Sequence, residues 1–239
     1  MCLLVCLWNA RADWPLIVAA NRDEMDRPFA PVRVLQENPR ILGGRDEVAK
    51  GTWLAVNEYG VVAALTNQPN GKRDPHKKSR GALPLLLTRE ATAEEAVRKF
   101  VATVDPTQYN PCWMLVADRH SLFYLDVTGS KVQCEKLPQG MHLLENKPLR
   151  AASTKIDRVS ANLQKLSTCE TRDIVPTIQH ALSQHATDDV RNSACVHAGP
   201  YATRSSTIAL FSQTAIEVWA TDRSPCQEIY SDRSILWKK

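Results

Sequence analysis

The sequence has no long apolar run, since none approaches the roughly 18 residues that a membrane-spanning helix requires. The apolar segment of residues 1–8 also lacks the basic leader and the cleavage site of a secretory signal peptide. The seven cysteines are an odd number without the close spacing of a disulfide framework, which is typical of a reducing compartment. We therefore expect a cytoplasmic protein without an integral membrane segment.

Motifs for metals, nucleotides and serine nucleophiles are missing as well. The sequence has no His-Glu-x-x-His, no paired Cys-x-x-Cys, no phosphate-binding glycine loop and no Gly-x-Ser-x-Gly. The six histidines show no metal-ligand spacing, and His180 and His185 are interpreted as surface residues on or just past a helix. Cys112 and Cys226, each preceded by a proline, are interpreted as structural. The sequence thus predicts no metal and no cofactor.

A strong charge of either sign is also absent. The 30 basic and 26 acidic side chains leave a net charge of +4, which is too mild to indicate a nucleic-acid partner. The chain of 239 residues is 44% hydrophobic and 23% charged, as is ordinary for a globular protein. No linker or low-complexity segment divides it, so we predict a single domain over residues 1–239. The sequence does not indicate an oligomeric state.

The N-terminal segment predicts a β-hairpin. Two apolar segments rich in strand-forming residues, 2–8 and 16–20, flank a polar loop. Antiparallel pairing about the middle of that loop brings the start of the first strand beside the end of the second. Cys2 is therefore expected to lie next to the segment Asn21-Arg22-Asp23.

Cys2 has the surroundings that a nucleophile requires. Removal of Met1 would expose an α-amino group with a reference pKa of about 7.7–8.0, which can act as the base for the thiol of the same residue. Arg22 is expected to lower the pKa of the thiol, and Asp23 to orient the amine. The alternative is structural, because cysteine is often a small buried hydrophobe and an unprocessed chain would not have Cys2 at its terminus.

The rest of the chain predicts a layered α+β fold. Gly43-Gly44 indicates a turn, Glu58-Tyr59-Gly60 a hairpin connection, and Thr92-Ala93-Glu94-Glu95 a capping box at the start of a helix. A helical region is expected from Ala82, and Asp173 is expected to cap a later helix. Strands are predicted at residues 32–35, 52–57, 61–66, 113–117, 122–127, 132–137, 205–211 and 216–221, and further helices at residues 154–167 and 173–184.

A basic loop is predicted at residues 67–80. It contains six basic side chains, namely Lys72, Arg73, His76, Lys77, Lys78 and Arg80. Most such runs are solvated surface loops. The alternative is a lid that meets an anionic substrate, such as a phosphate-bearing acyl donor.

Five motifs in order resemble the NRDE family, which is the transport and Golgi organisation protein 2 family. The first is Cys2 followed by an apolar strand and Asn21-Arg22-Asp23-Glu24. The others are Ile41-Leu42-Gly43-Gly44-Arg45-Asp46, Gly51-Thr52-Trp53-Leu54-Ala55-Val56-Asn57, Ala64-Leu65-Thr66-Asn67 and Thr203-Arg204-Ser205-Ser206-Thr207. The resemblance runs from the second residue to beyond Arg204 and so covers nearly the whole chain.

This family in turn resembles N-terminal nucleophile hydrolases of the choloylglycine hydrolase and penicillin V acylase type. The resemblance implies a four-layer αββα sandwich of two antiparallel sheets between helix layers, with amide-bond chemistry at Cys2. It assigns Arg22 and Asp23 to the nearby arginine and the amine-orienting aspartate, Asn146 to the oxyanion hole and Arg204 to the late active-site arginine. Asn146 departs from the pattern in following a glutamate. The predicted substrate contacts are Asn21 and Asn67.

Two functions from different classes are consistent with the sequence. In the first, the chain is an N-terminal cysteine amidohydrolase or acyltransferase that acts on a small-molecule amide or acyl substrate outside peptides. In the second, the site does not turn over, and the protein binds or moves a hydrophobic ligand such as haem or an acyl lipid. The combination of Cys2, Arg22 and Asp23 favours the first, because a pure carrier does not need it.

Overall fold

A computed structural model describes residues 2–69 and 73–238; Met1, residues 70–72 and Lys239 lie outside the described part. The chain forms two compact units. The first unit contains residues 1–27 and 140–234, and the second contains residues 28–139 and 235–239. The single domain over residues 1–239 stays a prediction. Within the described ranges, no helix is long and apolar enough to cross a membrane.

The first unit is built on one antiparallel sheet of seven strands. Its spatial order is β10-β1-β2-β12-β13-β14, and β11 also pairs with β12. The long neighbours β2 and β12 lie side by side although most of the chain separates them, so residues from both ends of the sequence meet in this sheet. The strands are β1 (Leu3–Trp8), β2 (Leu16–Met25), β10 (Gly140–Leu144), β11 (His197–Ala198), β12 (Tyr201–Phe211), β13 (Ile216–Thr221) and β14 (Ser231–Asp232).

One face of this sheet is covered by the helices α3 (Thr154–Leu163) and α4 (Ile174–Leu182). Side chains alternate along a strand, so Leu3, Val5 and Leu7 of β1 share the face that packs on these helices. Each fully buried aliphatic side chain contributes roughly 1.5–3 kcal/mol relative to an exposed one. Leu4 and Cys6, which lie between them, point to the opposite face. By the same alternation, Cys2, which precedes the strand, also points to that face.

The second unit is a seven-stranded antiparallel meander in sequence order from β3 to β9. The helices α1 (Ala82–Leu87) and α2 (Ala93–Thr103) pack their apolar residues on its central strands. Thr92 caps α2 by accepting a hydrogen bond of 3.2 Å from the Glu95 amide, as the capping box predicts. The strands are β3 (Phe29–Glu37), β4 (Arg40–Asp46), β5 (Leu54–Asn57), β6 (Val62–Asn67), β7 (Cys112–Ala117), β8 (Leu122–Val127) and β9 (Gln133–Lys136).

The turn predicted at Gly43-Gly44 is wrong, since both glycines lie inside β4. They are needed there for close packing rather than for chain reversal. A Cβ on Gly43 would lie 2.5 Å from the Leu54 carbonyl oxygen, and one on Gly44 would lie 2.2 Å from the Trp53 ring. Glycine within a strand often marks such a close approach.

The two predicted helices of the first unit are both shorter than the sequence indicated. The helix predicted to end at residue 167 ends at Leu163 and continues as a 3₁₀ turn over Gln164–Ser167. Asp173 does occupy the N-cap position of α4, but its side chain makes no capping hydrogen bond. The strands β10, β11 and β14 were not predicted as strands.

The basic loop of residues 67–80 is described only in part, because residues 70–72, including Lys72, lie outside the described residues. Its second half is anchored to the second unit. Lys78 donates from Nζ to the Gln108 side chain at 2.6 Å, and Arg80 donates to the Pro111 carbonyl at 3.1 Å. The lid function of this loop stays a prediction.

Replacing Gly51 with alanine is expected to destabilise the fold. The new Cβ would lie 2.5 Å from the Gly81 carbonyl carbon and 2.6 Å from its Cα, which are backbone atoms and cannot rotate away. Such overpacking typically costs about 1–3 kcal/mol, and each kcal/mol lowers the melting temperature by roughly 2–4 °C in a chain of this size. Thermal unfolding followed by circular dichroism measures the effect. Gly129→Ala is the matched control, since the nearest atom to its Cβ would be 3.8 Å away; equal melting temperatures for the two variants would refute the close approach.

Candidate active site

Cys2 lies at one end of a polar row that crosses the sheet of the first unit. β1 pairs with β2 in the register Leu3 to Asn21, which continues by one residue to place Cys2 opposite Arg22. On its other side β1 pairs with β10 up to Leu4 and Leu144, and Asn146 follows two residues after that last pair. The hairpin predicted from the sequence is confirmed, and it brings Cys2 beside Arg22 and Asp23.

Ser205 extends the row to a third strand, and sequence reasoning missed it. It is paired with Arg22 between β2 and β12, so Cys2, Arg22 and Ser205 form the row, and Asn146 follows the end of the neighbouring strand β10. All four residues are buried. The Ser205 hydroxyl makes no hydrogen bond to any residue that the structure describes. The row therefore presents a thiol, a guanidinium and a hydroxyl on the face opposite α3 and α4.

Asn21 lies on the helix-facing side of the same strand, where its amide group links two distant segments. Its Nδ2 donates to the Leu182 carbonyl at 2.9 Å and to the Ala194 carbonyl at 2.8 Å. The amide hydrogens of Asn21 are thus used by the scaffold. A substrate contact of Asn21 stays a prediction, and only its Oδ1 could make one.

Asp23 also lies on the helix-facing side, next to the start of β1. It accepts a hydrogen bond of 2.6 Å from the Thr203 hydroxyl, and Thr203 is its partner in the register between β2 and β12. Burial raises the pKa of the Asp23 carboxyl above its ordinary value, against the opposing effects of Lys155, Thr203 and Arg22. Asp23 is thus a buried carboxyl group that neighbouring cations help to keep ionised.

Lys155 is a fully buried lysine at the beginning of α3, and it is the second residue that sequence reasoning missed. Its Nζ has no hydrogen-bond partner among residues 2–69 and 73–238, while its charge lowers the pKa of Asp23. The sequence does contain a signal for it. Lys155 is spaced i, i+4 and i+8 with Val159 and Leu163, both buried, so a cation occupies an apolar position of the helix.

Glu145, the unexpected residue before Asn146, holds the start of α3 in place. The Ser153 hydroxyl donates to Glu145, and the same oxygen of Ser153 accepts a hydrogen bond of 3.2 Å from the Ile156 amide as the helix cap. Glu145 therefore fixes the start of the helix that supplies Lys155.

The thiol of Cys2 has an elevated pKa in this unprocessed chain. Burial is the largest cause and the Asp23 carboxylate adds to it, whereas Arg22 and a backbone hydrogen bond from Asp23 lower the pKa. The prediction that Arg22 lowers the pKa of the Cys2 thiol is confirmed, although burial makes the net direction upward. Loss of hydration disfavours the thiolate more than the arginine stabilises it.

Arg204 and Arg22 are held by acidic and carbonyl groups around Glu24. Arg204 is the extra residue of a β-bulge in β12, and it donates to the Glu24 carbonyl at 3.2 Å and to the Pro200 carbonyl. Arg22 Nη2 lies 3.8 Å from the Glu24 carboxylate, which Arg27 also contacts at 3.1 Å. Arg204 therefore lies on β12 directly before Ser205, the last residue of the row. Its role as an active-site arginine stays a prediction.

Asn67 belongs to the second unit, at the end of β6, where it pairs with Cys112 of β7. Its predicted contact with the substrate stays a prediction.

The family model described as Transport and Golgi organisation 2 matches residues 1–224 of the chain. Two curated relatives are the human Transport and Golgi organization protein 2 homolog, 32% identical over 127 residues, and the mouse homolog, 35% identical over 91 residues. These matches cover 49% and 35% of this chain and 45% and 33% of the human and mouse proteins. The matched region thus spans less than half the length of either relative.

Solved structures with a similar fold include a hydrolase, an amidase ortholog and an acylase by name. A variant of conjugated bile acid hydrolase from Clostridium perfringens has a TM-score of 0.62 at 12% identity, over 99% of this chain and 93% of that chain. The Caenorhabditis elegans N-acylethanolamine-hydrolyzing acid amidase ortholog has a TM-score of 0.57 at 14% identity, over 87% of this chain and 92% of that chain. Penicillin V acylase from Agrobacterium tumefaciens has a TM-score of 0.53 at 13% identity, over 93% of this chain and 86% of that chain. At these identities the similarity identifies the fold, and the predicted fold class of N-terminal nucleophile hydrolase type is confirmed.

Proposed function

Since the chain belongs to the Transport and Golgi organisation 2 family and has this fold, we propose that it is an N-terminal cysteine hydrolase or acyltransferase. Its substrate would be a small amide or acyl compound rather than a peptide. The observation that supports the proposal is the pairing of β1 with β2, which sets Cys2 beside Arg22 and Asp23, while Asn146 follows the end of the neighbouring strand β10. The names of the similar structures, which are hydrolases and an acylase, agree with this substrate class.

The proposed reaction starts with removal of Met1, which converts the backbone nitrogen of Cys2 into an α-amino group. This amine accepts the thiol proton as Sγ attacks the substrate carbonyl, and the Asn146 amide donates to the oxygen that becomes negative. The carbon–nitrogen bond of an amide then breaks, and the leaving amine takes the proton. Water hydrolyses the thioester and regenerates the thiol; a different acceptor in place of water makes the same chemistry an acyl transfer.

Each neighbouring group has a separate part in this proposal. Asp23 holds the protonated amine, and Arg22 stabilises the thiolate. Lys155 lowers the pKa of Asp23 in a site where burial raises it. Lys155 is a positioning residue, because it acts through Asp23.

The proposal is tested by intact-mass spectrometry before and after a brief exposure to an activated acyl ester. We expect purified protein without Met1 and a single acyl group on Cys2, which disappears with time as the thioester hydrolyses. Peptide mapping identifies the modified cysteine among the seven. Retention of Met1, with Cys2 acylated no faster than the exposed Cys134, would contradict the proposal.

The second function, binding or transport of a hydrophobic ligand, is supported by one observation. Burial of Cys2 raises the pKa of its thiol and so favours the unreactive form in the unprocessed chain. A carrier does not require removal of Met1. The same mass measurement therefore separates the two functions, because only the enzyme depends on processing.

Replacing Lys155 with methionine is expected to shift the acid side of the pH–rate profile to higher pH. The substitution removes a cation that lowers the pKa of Asp23, so the carboxyl becomes protonated at a higher pH and ceases to hold the amine there. The rate of Cys2 acylation is measured against pH. Methionine suits the buried site, since it replaces an isolated buried charge by an apolar side chain. The exposed Lys165 gives the control variant Lys165→Met; identical profiles for both variants would contradict the role of Lys155.

A further inference from the structure

Four side chains with metal-binding atoms converge at a site separate from Cys2. They are His185, Cys195, His197 and Cys226, and one ligand atom from each lies within 4.8 Å of all the others. All four residues belong to the first unit. Cys195 is buried, whereas the other three are exposed, so an ion can reach the site from solvent. None of these residues takes part in the proposed acyl chemistry.

The three distances among the donor atoms of Cys195, His197 and Cys226 match the edges of a tetrahedron around zinc. The two sulfur atoms are 3.5 Å apart, and His197 Nε2 lies 3.2 Å from the Cys226 sulfur and 3.7 Å from the Cys195 sulfur. Zinc bonds of about 2.3 Å to sulfur and 2.0–2.1 Å to nitrogen give sulfur–sulfur edges of about 3.8 Å and sulfur–nitrogen edges of about 3.5 Å. The spacing leaves room for one ion between the donors.

His185 is oriented for ligation by its second ring nitrogen. Its Nδ1 lies 2.9 Å from the Cys195 carbonyl oxygen, which can only accept a hydrogen bond. Nδ1 therefore has the proton in the neutral ring, and Nε2 has the free lone pair. Metal-bound histidines are typically held by such a contact from the other nitrogen to a backbone carbonyl.

A disulfide does not explain the cluster. Bonded sulfur atoms are about 2.0 Å apart, whereas those of Cys195 and Cys226 are at 3.5 Å and both cysteines are free. A disulfide would also not explain why the two imidazole rings lie close together, with their centroids 5.2 Å apart. Two thiols and two imidazoles with donor atoms within 4.8 Å of one another favour zinc over magnesium or calcium, which prefer oxygen.

We propose that His185, Cys195, His197 and Cys226 form a tetrahedral zinc site. On binding, four bonds form between the ion and the two sulfur and two nitrogen atoms, and the two thiols release their protons to solvent. Four protein ligands complete the coordination of zinc and leave no open position, which is typical of a structural site. The zinc therefore stabilises this part of the fold rather than activating water.

The zinc site is connected to the surroundings of Cys2 through the segment that contains Cys195 and His197. The Val196 amide donates to the Thr203 hydroxyl at 2.9 Å, and that hydroxyl donates to Asp23 at 2.6 Å. On the Cys226 side, the Ser224 hydroxyl donates to the Thr203 carbonyl at 2.6 Å. The ion would thus join two segments that both hold Thr203, and Thr203 holds Asp23.

Metal analysis of the full chain, produced without a histidine tag, tests the proposal. We expect one zinc per chain by native mass spectrometry and plasma mass spectrometry. Replacement of zinc by cobalt(II) should give the visible absorption of a tetrahedral ion and the near-ultraviolet band of cobalt–thiolate bonds. The melting temperature should rise when zinc is added to metal-free, reduced protein. These measurements need no variant.

Variants of the ligands and of matched residues complete the test. Cys226→Ser and His197→Ala are expected to lower zinc affinity at least about 100-fold, since loss of even an outer-shell partner costs 10–100-fold. Cys134→Ser and His180→Ala remove exposed side chains of the same types outside the cluster and should retain the metal. A folded, reduced wild-type chain that shows no tetrahedral cobalt spectrum would overturn the proposal. So would a folded Cys226→Ser variant with wild-type zinc affinity, or a Cys195–Cys226 disulfide in freshly purified protein.

Discussion

Replacing Cys2 with alanine is expected to abolish acyl-enzyme formation and to lower turnover by at least about 10⁴-fold, the effect of removing the nucleophile from a catalytic unit. No other thiol of the first unit's sheet lies in the row with Arg22 among the residues that the structure describes. The measurements are single-turnover acylation followed by mass spectrometry and steady-state hydrolysis of the same activated ester. The fold should persist, because the substitution removes one sulfur atom from a strand end.

The matched control for this experiment is Cys6→Ala. Cys6 lies on the same strand and the same face as Cys2, is also buried, and has a thiol whose pKa burial raises. It pairs with Val18 and His142 and therefore has no guanidinium beside it in the register. An unchanged acylation rate in Cys2→Ala, or an equal loss of acylation in both variants, would contradict the assignment of Cys2 as the nucleophile.

Replacing Asn146 with aspartate is expected to lower kcat by about 10²–10³-fold with little change in KM, as for loss of one oxyanion donor. Aspartate keeps the size and shape of asparagine but has no N–H group to donate, and its charge opposes the developing oxyanion. The effect should appear in kcat because the oxygen is negative only in the transition state. Steady-state kinetics with an amide and an ester of the same acyl group measures it.

The exposed Asn162 of α3 gives the control Asn162→Asp, which adds the same charge away from the row. A rise in KM without a change in kcat would show that Asn146 binds the ground state instead. Equal kcat and KM values for both variants would contradict the proposed role of Asn146 as an oxyanion-hole donor.

The hairpin at the start of the chain could be predicted because its signal is local. The apolar segments and the polar loop between them determine both the strands and the register, and the register alone places Cys2 beside Arg22. The strand β10 could not be recognised in the same way. Most of Gly140–Leu144 is only half-buried, and its short, mixed sequence lacks a clear alternation. Its importance comes from pairing with β1, which is remote in sequence.

The residues that sequence reasoning missed share a dependence on long-range contacts. Lys155 acts on Asp23 through helix packing, and Ser205 joins the row only through the pairing of β2 with β12. The zinc ligands are separated by 10, 2 and 29 positions, and no metal motif has that spacing. Only Cys195-Val196-His197 has two ligands close together, and a single Cys-x-His is a weak signal. The elevated pKa of the Cys2 thiol likewise depends on burial, which the neighbouring residues in the sequence do not indicate.

The strands of the first unit come from two segments that are far apart in the sequence, so they are synthesised at different times. β1 and β2 are made first, but β12, the other neighbour of β2, follows only after residues 28–139 of the second unit and both helices of the first. At 5–20 residues per second, a ribosome needs on the order of 10–40 s to reach β12 after β2. In the finished fold Cys2 is only 6% exposed. An aminopeptidase that prepares the proposed nucleophile therefore has an interval of this length in which β12 has not yet paired with β2.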